Sequence, residues 1–263
     1  MKHIIFYSGG IGSWMTAKRV IQKHRKDNVI LLFTDTLIED EDLYRFIDET
    51  VKKLGVEFVK IADGRTPWEV FKDSRFLGNS RLAKCSHVLK QKPAEKWIKE
   101  NFKPDECILY LGIDWTEEHR KTAPIRNWAP YQVEFPVCEP PYLSKRDMLD
   151  ELKAEGIEVP KLYKLGFSHN NCGGRCVRGG QGHWIQLLEN LPERYREVES
   201  IEKEMQEYLT KDVTILNRTV KGKKENLSLE KLRKEYEAGK REQIDLFDIG
   251  GCGCFVTDTN QRE

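Results

Sequence analysis

The sequence predicts an α/β protein: a doubly wound parallel sheet followed by a helical, cysteine-containing C-terminal extension. Short β-branched and aromatic runs, typical of buried parallel strands, alternate with amphipathic helical segments through the first half of the chain. Helical crossovers of this length connect parallel neighbours in a sheet. The second half instead carries a glycine- and cysteine-rich loop and long charged helices. We therefore expect an α/β domain over residues 1–165 and an extension over residues 166–263.

Composition narrows the class of protein further. The 263 residues include 44 Lys and Arg against 43 Asp and Glu, so net charge provides no general attraction to nucleic acid or to a membrane. No apolar run approaches the roughly 18 residues of a transmembrane helix, and no signal-peptide pattern precedes the first strand. Seven cysteines in such a chain favour reduced thiols that are buried, catalytic or metal-binding. We expect a cytoplasmic protein with no membrane partner.

The first strand and the loop after it are the most informative segment. His3–Tyr7 is predicted to be a buried strand, Ser8-Gly9-Gly10 breaks it, and a helix restarts at Ser13 with apolar residues at helical spacing. A Gly-rich turn between a strand and a helix N-terminus directs backbone N–H groups and the positive end of the helix dipole at one point. The turn therefore favours phosphate binding, and the alternative is a tight turn that only requires two glycines.

Strands and helices continue to alternate after this loop. The predicted elements are strands at Val29–Phe33, Glu57–Ile61 and Cys107–Ile113 and helices at Asp40–Leu54, Thr66–Phe71 and Ser86–Phe102. Polar clusters follow three of the strand ends, at Ser8–Ser13, Asp35-Thr36 and Asp114–Arg120. Ligands of parallel sheets bind beyond the carboxyl ends of the strands, so this coincidence strengthens the nucleotide interpretation.

The second half is predicted to be helical around one long loop. Ser144–Glu155 reads as a capped helix, residues 166–184 as a loop with six glycines, and Pro192–Leu209 and Ser228–Ala238 as charged helices. The run Lys221–Lys224 is most simply a solvated turn.

Four cysteines lie in glycine-rich stretches, where there is little to pack against. Cys172 and Cys176 have C-x3-C spacing, and Cys252 and Cys254 have C-x-C spacing. Four thiolates could form a tetrahedral zinc site or hold an iron–sulfur cluster. The alternatives are reduced or disulfide-exchanging thiols, unrelated cysteines, or a site that only pins the tail onto the domain.

Three further residues are ambiguous by sequence alone. Cys85 precedes a predicted helix that carries Lys90, an environment that favours a thiolate, although a lone cysteine is more often structural. His169 and His183 flank the first cysteine pair, and each is more typical of a hydrogen-bonding loop residue than of a metal ligand.

These residues carry a family resemblance. SGGIGS, Ser8–Ser13, resembles the PP-loop motif SGGxDS of the adenine nucleotide alpha-hydrolase-like superfamily. Phe33–Thr36 followed by Glu39 is similar to a pattern of its phosphoadenosine phosphosulfate (PAPS) reductase-like group. Further segments resemble that group in the same order: Cys85 with Leu89-Lys90 and Pro93, Leu111–Ile113 with Glu118 and Arg120, and Pro136–Cys172. The chain resembles a bacterial and phage branch of this group, which implies a Rossmann-like sheet of the PP-loop type.

The resemblance implies an adenine nucleotide ligand, either ATP or PAPS and its unphosphorylated analogue APS, with Mg²⁺ as an accompanying ion. It implies that the loop cradles the phosphates through Ser8, Gly9, Gly10, Gly12 and Ser13. Recognition of the adenine or ribose falls to Phe33, Asp35 and Thr36, and Gly112 permits close approach of the nucleotide. The implied catalytic residues are Cys85, Lys90 and Arg120, the last two neutralising phosphate or sulfate charge.

Gly12 is a departure from the motif, which has aspartate at this position. Phosphate binding by the backbone survives the change, but a carboxylate that could orient Mg²⁺ or the loop is lost. Asp35, Asp114 or Glu118 are the candidates to supply a metal ligand instead.

Three functions follow from the resemblance. In the first, an ATP pyrophosphatase-type sulfurtransferase adenylates an oxygen and replaces it with sulfur held by a cluster or a cysteine. In the second, a PAPS or APS reductase releases sulfite after thiol attack. In the third, a nucleotide-binding sensor or defence module carries structural zinc and performs no turnover.

The implied partners follow the same alternatives. They are a nucleobase, nucleic-acid or small-molecule acceptor, a cysteine desulfurase as sulfur donor or a thioredoxin-like reductant, and a second copy in a homodimer. Trp115, Arg126, Trp128 and Arg178 could line a groove for a base, although isolated residues of these types are more often core or rim packing.

Overall fold

A five-stranded parallel sheet forms the centre of the first half of the chain. The computed structural model describes residues 1–79 and 82–251. The strands are β1 (Lys2–Phe6), β2 (Val29–Asp35), β3 (Glu57–Ala62), β4 (Cys107–Tyr110) and β5 (Gln132–Glu134), arranged in the order β3-β2-β1-β4-β5. Every neighbouring pair is parallel, which confirms the predicted fold class.

Helices cover both faces of this sheet. They are α1 (Ile11–Lys23), α2 (Glu41–Leu54), α3 (Pro67–Asp73), α4 (Lys92–Asn101), α5 (Thr122–Trp128), α6 (Lys145–Ala154) and α7 (Lys161–Lys164). One buried cluster joins α1, α2 and α6 to the sheet and includes Trp14 and Phe46. A second cluster, with Ile98 and Trp128, fills the opposite face below α4 and α5. Apolar residues on both faces explain why β2 is buried along its whole length.

The strand order creates a switch point between β1 and β4. From β1 the chain moves outward to β2 and β3, and from β4 it moves outward to β5 on the other side. The loops that follow β1 and β4 therefore separate, which opens a crevice at the carboxyl edge of the sheet.

The C-terminal extension packs around its own buried cluster. It contains α8 (Gln181–Asn190), α9 (Pro192–Leu209), an antiparallel hairpin of β6 (Leu216–Val220) and β7 (Lys223–Leu227), and α10 (Leu229–Glu237). Its cluster includes Trp184 and Tyr195 but also Phe71 from α3, so the extension packs against the first half. The division at residue 165 stays a prediction.

A buried carboxylate connects the elements of this extension. Glu202 in α9 accepts hydrogen bonds from the backbone N–H groups of Ile215 and Leu229, at 2.8 and 2.7 Å. Burial raises the pKa of Glu202 to about 7. Glu202 thus holds the starts of the hairpin and of α10 against α9.

Several predicted element boundaries were wrong. The first helix begins at Ile11 rather than Ser13, and the strand from Cys107 ends at Tyr110, which leaves Leu111–Ile113 in a loop. The predicted helix Ser86–Phe102 contains a π-helical turn, Ser86–Gln91, before α4.

The Lys221–Lys224 run contains the predicted exposed turn, and the residues on either side of it pair as the two strands of a hairpin. One prediction for the extension was wrong. The loop predicted over 166–184 ends at Gly180, which places His183 in α8. Among the described residues, no helix is long and apolar enough to cross a membrane.

Candidate active site

A cavity of about 500 Å³ lies at the switch point of the sheet. Its wall on the β1 side is the glycine loop, and its wall on the β4 side is the segment after Tyr110. The sequence-predicted residues that line it are Ser8, Gly10, Gly12, Ser13, Gly112, Asp114 and Arg120. Ligand cavities typically measure about 300–1,000 Å³, so this cavity accommodates a nucleotide-sized ligand.

The N-terminus of α1 directs backbone donors into the cavity. Gly10 precedes the helix without a side-chain cap, and Ile11 N donates to the Tyr163 hydroxyl at 3.1 Å. Within the part of the chain that the structure describes, the N–H groups of Gly12 and Ser13 donate to no backbone acceptor. Unpaired N–H groups and the helix dipole together make this end of α1 suited to an anion such as phosphate.

The absence of a side chain at Gly12 has a steric reason. A Cβ atom at Gly12 would lie 2.7 Å from the carbonyl oxygen of Gly112, and a Cβ at Gly112 would lie 2.7 Å from Gly12 C and Ser13 N. The two loops therefore pack backbone against backbone. The aspartate of the PP-loop motif has no room here unless one of these loops moves.

Gly9 supports the loop from behind rather than lining the cavity. Its φ is +73°, and its Cα faces the side chain of Leu43. Its carbonyl oxygen accepts a hydrogen bond of 3.0 Å from the buried side chain of Asn170. Asn170 thus connects the glycine loop to the loop that precedes Cys172.

Two basic side chains and one histidine contribute to the cavity lining. Arg120, Lys145 and His169 all line the cavity. Arg120 forms an ion pair with Glu117, and Lys145 Nζ donates to the Ser168 carbonyl and lies 5.8 Å from the Tyr163 ring centre. Burial, followed by the charges of Lys145 and Arg120, lowers the pKa of His169 to about 4. His169 is therefore neutral at pH 7 in the ligand-free cavity.

Two acidic side chains, Asp114 and Glu117, line the same cavity. Asp114 Oδ1 accepts hydrogen bonds from the backbone N–H of Thr116, at 2.8 Å, and from its hydroxyl, at 2.5 Å. A carboxylate oxygen is the type of hard ligand that Mg²⁺ prefers. A Mg²⁺ ion in this cavity stays a prediction.

The predicted adenine-recognition residues lie outside the cavity lining. Phe33 is buried against Phe58, with ring centres 6.4 Å apart. Asp35 accepts from the Tyr44 hydroxyl and pairs with Lys60, both at 2.8 Å, and Thr36 donates to Glu39 at 2.9 Å. These contacts organise the end of β2, and a role for the three residues in nucleotide recognition stays a prediction.

Lys90 and Cys172 meet at a buried carboxylate. Glu39 Oε1 lies 3.6 Å from Lys90 Nζ and accepts from Thr36, while Glu39 Oε2 accepts from the backbone N–H of Cys172. Cys172 has a φ of +53°, so this hydrogen bond stabilises a backbone conformation unfavourable for a residue with a Cβ. We call Thr36, Glu39, Lys90, Cys172 and Cys176 the Glu39 cluster.

The described residues include two of the four predicted metal ligands. The thiols of Cys172 and Cys176 share a hydrogen bond, which together with burial raises the pKa of Cys172 well above its usual range. Cys252 and Cys254 lie outside the described residues. Over residues 1–79 and 82–251 no group of three or more His, Cys, Asp or Glu side chains could hold a metal ion. A four-thiolate zinc or iron–sulfur site therefore stays a prediction.

The remaining cysteine and histidine predictions have clear structural positions. Cys85 precedes the π-helical turn and packs beside the cluster of the extension, away from the cavity lining. His183 contacts the carbonyl oxygen of Gly174 at 2.7 Å, as a hydrogen-bonding residue would. Cys107 is buried, and Cys138 donates to the carbonyl of Ile113.

Sequence reasoning missed Lys145, Tyr163 and Asn170 as cavity residues. Lys145 is the first residue of α6, directly after the Ser144 cap, and only the packing of α6 beside α1 brings it to the cavity. Asn170 and Asn171, directly before Cys172, gave only a weak indication in the sequence that this loop reaches the cavity. Tyr163 lies in a short helix that no periodicity marks.

Comparisons with known proteins agree with this fold. A parallel sheet with a glycine loop at its switch point defines a nucleotide-binding α/β protein. The family model described as the phosphoadenosine phosphosulfate reductase domain matches residues 2–172. The chain therefore belongs to this family. An uncharacterized protein of Methanocaldococcus jannaschii is 22% identical over 206 residues, which cover 78% of this chain. The match spans 42% of that relative's length.

Three solved structures resemble the chain at low sequence identity. PAPS reductase from Candida auris, in its phosphate complex, has a TM-score of 0.44 at 15% identity and matches 64% of this chain and 78% of its own. The NH3-dependent NAD synthetase of Campylobacter jejuni scores 0.42 at 14%, over 80% and 84% of the two chains. The U34-tRNA thiolase of Methanococcus maripaludis, with its 4Fe–4S cluster, scores 0.44 at 15%, over 78% and 73%.

Proposed function

We propose that this chain is an adenine-nucleotide-dependent enzyme that activates an acceptor with ATP and replaces an oxygen of that acceptor by sulfur. The observation that supports this proposal is the lining of one cavity, which combines the N-terminus of α1, at Gly12 and Ser13, with the cationic side chains of Arg120 and Lys145. Phosphate binding uses both kinds of group, helix N-termini and charged side chains.

The acidic residues of the cavity favour ATP over PAPS. Asp114 offers a carboxylate oxygen to the Mg²⁺ that accompanies a triphosphate. A sulfonucleotide reductase requires no such ion. In a reductase the Asp114 carboxylate would lie beside the sulfate of the substrate and repel that sulfate. Bound Mg²⁺ would neutralise charge on the phosphate oxygens, while Arg120 and Lys145 would hold the departing pyrophosphate.

The chemistry proceeds in three balanced displacements, followed by reduction of a disulfide. The acceptor oxygen attacks the α-phosphorus of ATP, the bond to pyrophosphate breaks, and the acceptor is adenylated. A persulfide from a sulfur donor then attacks the acceptor carbon, AMP leaves with the oxygen, and a mixed disulfide remains. A second thiol cleaves this disulfide, leaving the thiolated acceptor and a disulfide that a thioredoxin-like protein reduces. A cysteine desulfurase is the class of donor that supplies such a persulfide.

PAPS or APS reduction is the second candidate, favoured by the family match over residues 2–172. The two cations of the cavity lining, Arg120 and Lys145, would also suit a sulfate group. Its attacking thiolate has no representative on the cavity wall among the described residues, because neither Cys85, Cys172 nor Cys176 lines the cavity.

Product analysis of the purified full chain separates these candidates. We expect binding of ATP–Mg²⁺ and, with a competent acceptor, release of pyrophosphate and AMP; sulfite release from PAPS or APS would select the reductase instead. Lys145→Ala should weaken ATP binding about 10-fold or more, because hydrogen bonds to charged groups contribute about 1.5–3 kcal/mol. The neighbouring exposed Arg146 serves as the matched control, since Arg146→Ala leaves the cavity lining intact. Nucleotide binding without either product would support a sensor.

The cysteines are tested separately by metal and acid-labile sulfide analysis after aerobic and anaerobic purification. We propose that Cys172, Cys176, Cys252 and Cys254 bind one iron–sulfur cluster or zinc ion together. Alanine substitution in either pair should then remove the same metal. If one pair can be changed with no loss of metal, the four residues do not form a shared site.

A further inference from the structure

An exposed aromatic pair lies at the rim of the cavity. Trp115 and Tyr142 are 43% and 58% exposed, and their ring centres are 5.9 Å apart. Asp114 and Thr116, on either side of Trp115, line the cavity, as does Leu143, which follows Tyr142. The pair therefore marks the point where solvent meets the nucleotide site.

The position of the Trp115 ring is fixed by the fold. Its Nε1–H donates to the carbonyl oxygen of Leu143 at 3.1 Å, which connects the loop after β4 to the segment before α6. The indole donor is thus satisfied within the protein, while the ring remains accessible. A tryptophan kept exposed and held in one orientation offers a flat surface to a ligand rather than a contribution to the core.

The size and surroundings of this pair favour one kind of occupant. A stable protein interface buries about 800 Å² on each partner, far more than two aromatic side chains provide. A single planar heteroaromatic ring matches the area of one indole face, and stacking on aromatic side chains is how proteins hold unpaired bases. Arg146, whose side chain is 90% exposed, follows cavity-lining Lys145 in the sequence and lies 3.9 Å from Asp150, a loose exposed pairing that leaves its charge available to a backbone phosphate.

We propose that Trp115 and Tyr142 form a stacking platform for a nucleobase of the acceptor, presented by a single-stranded nucleic acid. This inference rests on the proposed function, because it names the class of acceptor that meets the activated nucleotide. The platform lies beside the loop that carries Asp114 and Arg120, so a base stacked there reaches the phosphate-binding wall. A free nucleoside has the same ring chemistry, and the experiment separates the two sources.

The test measures RNA binding and ATP binding independently on the full chain. A fluorescein-labelled, short single-stranded RNA of mixed sequence is titrated by fluorescence anisotropy without ATP, with DNA of the same sequence and free nucleosides as parallel probes. Trp115→Ala and Tyr142→Ala should each weaken RNA binding about 5- to 150-fold, the range that corresponds to loss of one stacked base. ATP affinity, measured by calorimetry, should remain unchanged, and Trp115→Phe should retain most RNA binding.

Tyr208→Ala is the matched control, because Tyr208 is 42% exposed but lies in α9, beside Lys72 and Arg75. It should leave RNA binding unchanged. The proposal is overturned if the wild-type chain binds neither RNA nor DNA, or if Trp115→Ala has no effect. Loss of ATP affinity in Trp115→Ala would also overturn it, since the platform would then hold the adenine of the nucleotide. If free nucleosides bind as tightly as RNA, the acceptor is a nucleoside and the nucleic-acid part of the proposal is wrong.

This design separates the two proposals. Failure of the chain to bind ATP contradicts the proposed function, yet RNA binding that depends on Trp115 would still identify the platform. Conversely, if the chain releases pyrophosphate from ATP but binds no nucleic acid, the proposed function stands and the nucleic-acid acceptor is wrong.

Discussion

Two polar regions meet at the carboxyl edge of the sheet, the nucleotide cavity and the Glu39 cluster. In the cavity the N–H groups of Gly12 and Ser13 have no backbone acceptor among the described residues, and cations face them across open space. In the Glu39 cluster the Glu39 carboxylate contacts three groups, the Thr36 hydroxyl, the Lys90 ammonium and the backbone N–H of Cys172. The first region requires a ligand to complete its hydrogen bonding, whereas the second is completed by the protein itself.

The two regions therefore contribute to different properties of the protein, ligand binding in the cavity and stability in the Glu39 cluster. An unfilled set of donors contributes little to folding and much to binding, while a buried, satisfied ion pair is costly to break. Lys90, predicted from sequence as a phosphate-binding residue, lies in the satisfied region. Variants in the two regions should therefore affect different measurements, stability for one and ligand affinity for the other.

The largest effect is expected from Glu39→Gln. The substitution removes the charge that pairs with buried Lys90 and places an amide opposite the N–H of Cys172. Breaking a buried ion pair costs about 3–5 kcal/mol, so the free energy of unfolding in urea should fall by that amount. Exposed Glu41, two residues away, is the control, and Glu41→Gln should change stability by less than about 0.5 kcal/mol. Equal stability of the two variants would contradict a structural role for the cluster.

The second largest effect is expected in the pH dependence of the free energy of unfolding, through His169. Its folded pKa of about 4 lies below the ordinary value of 6.5, so the unfolded chain binds more protons between these values. The stability that His169 contributes is present above pH 6.5 and is lost as pH falls towards 4, by up to about 3 kcal/mol. His169→Gln should flatten this part of the pH profile of unfolding, while the exposed His119→Gln should not.

Nucleotide binding should reverse the pH effect at His169. A bound phosphate favours the imidazolium, so ATP affinity should rise as pH is lowered from 7 to 5 in the wild-type chain and rise less in His169→Gln. Calorimetry at several pH values checks this. An identical pH dependence in both proteins would place the phosphates away from His169.

The smallest of the three effects is expected from Gly12→Ala. The added methyl would lie 2.7 Å from the Gly112 carbonyl oxygen, and overpacking of this kind costs about 1–3 kcal/mol, or about 5- to 150-fold in ATP affinity. Gly10→Ala adds the same methyl to the same loop, with Ser8 Oγ and Tyr163 Oη as its nearest non-neighbouring atoms at 3.4 Å, and should therefore lower ATP affinity less than Gly12→Ala. Unchanged ATP affinity in Gly12→Ala would mean that the contact between the two loops does not shape the site.

Local patterns predicted the glycine loop, the parallel sheet and most of its helices. The β-branched runs and the break at Ser8–Gly10 are properties of neighbouring residues, and strand polarity then places the polar clusters on one edge. The π-helical turn at Ser86–Gln91 and the hairpin around Lys221 escaped prediction. Helical periodicity does not distinguish one π-helical turn from an α-helix, and the hairpin strands are too polar to show the apolar alternation of a half-buried strand.

The sequence by itself determined that a glycine-rich turn, predicted to bind phosphate, precedes the first helix of a parallel sheet, because hydrophobic periodicity and glycine placement are local. Only the tertiary structure decided which residues face that turn. It brought Lys145 and His169, more than 130 positions along the chain, to the cavity and took Lys90 into the Glu39 cluster. It also explained Gly12, since the missing side chain is required by the backbone of Gly112. Such contacts arise from the packing of distant loops, which no local pattern encodes.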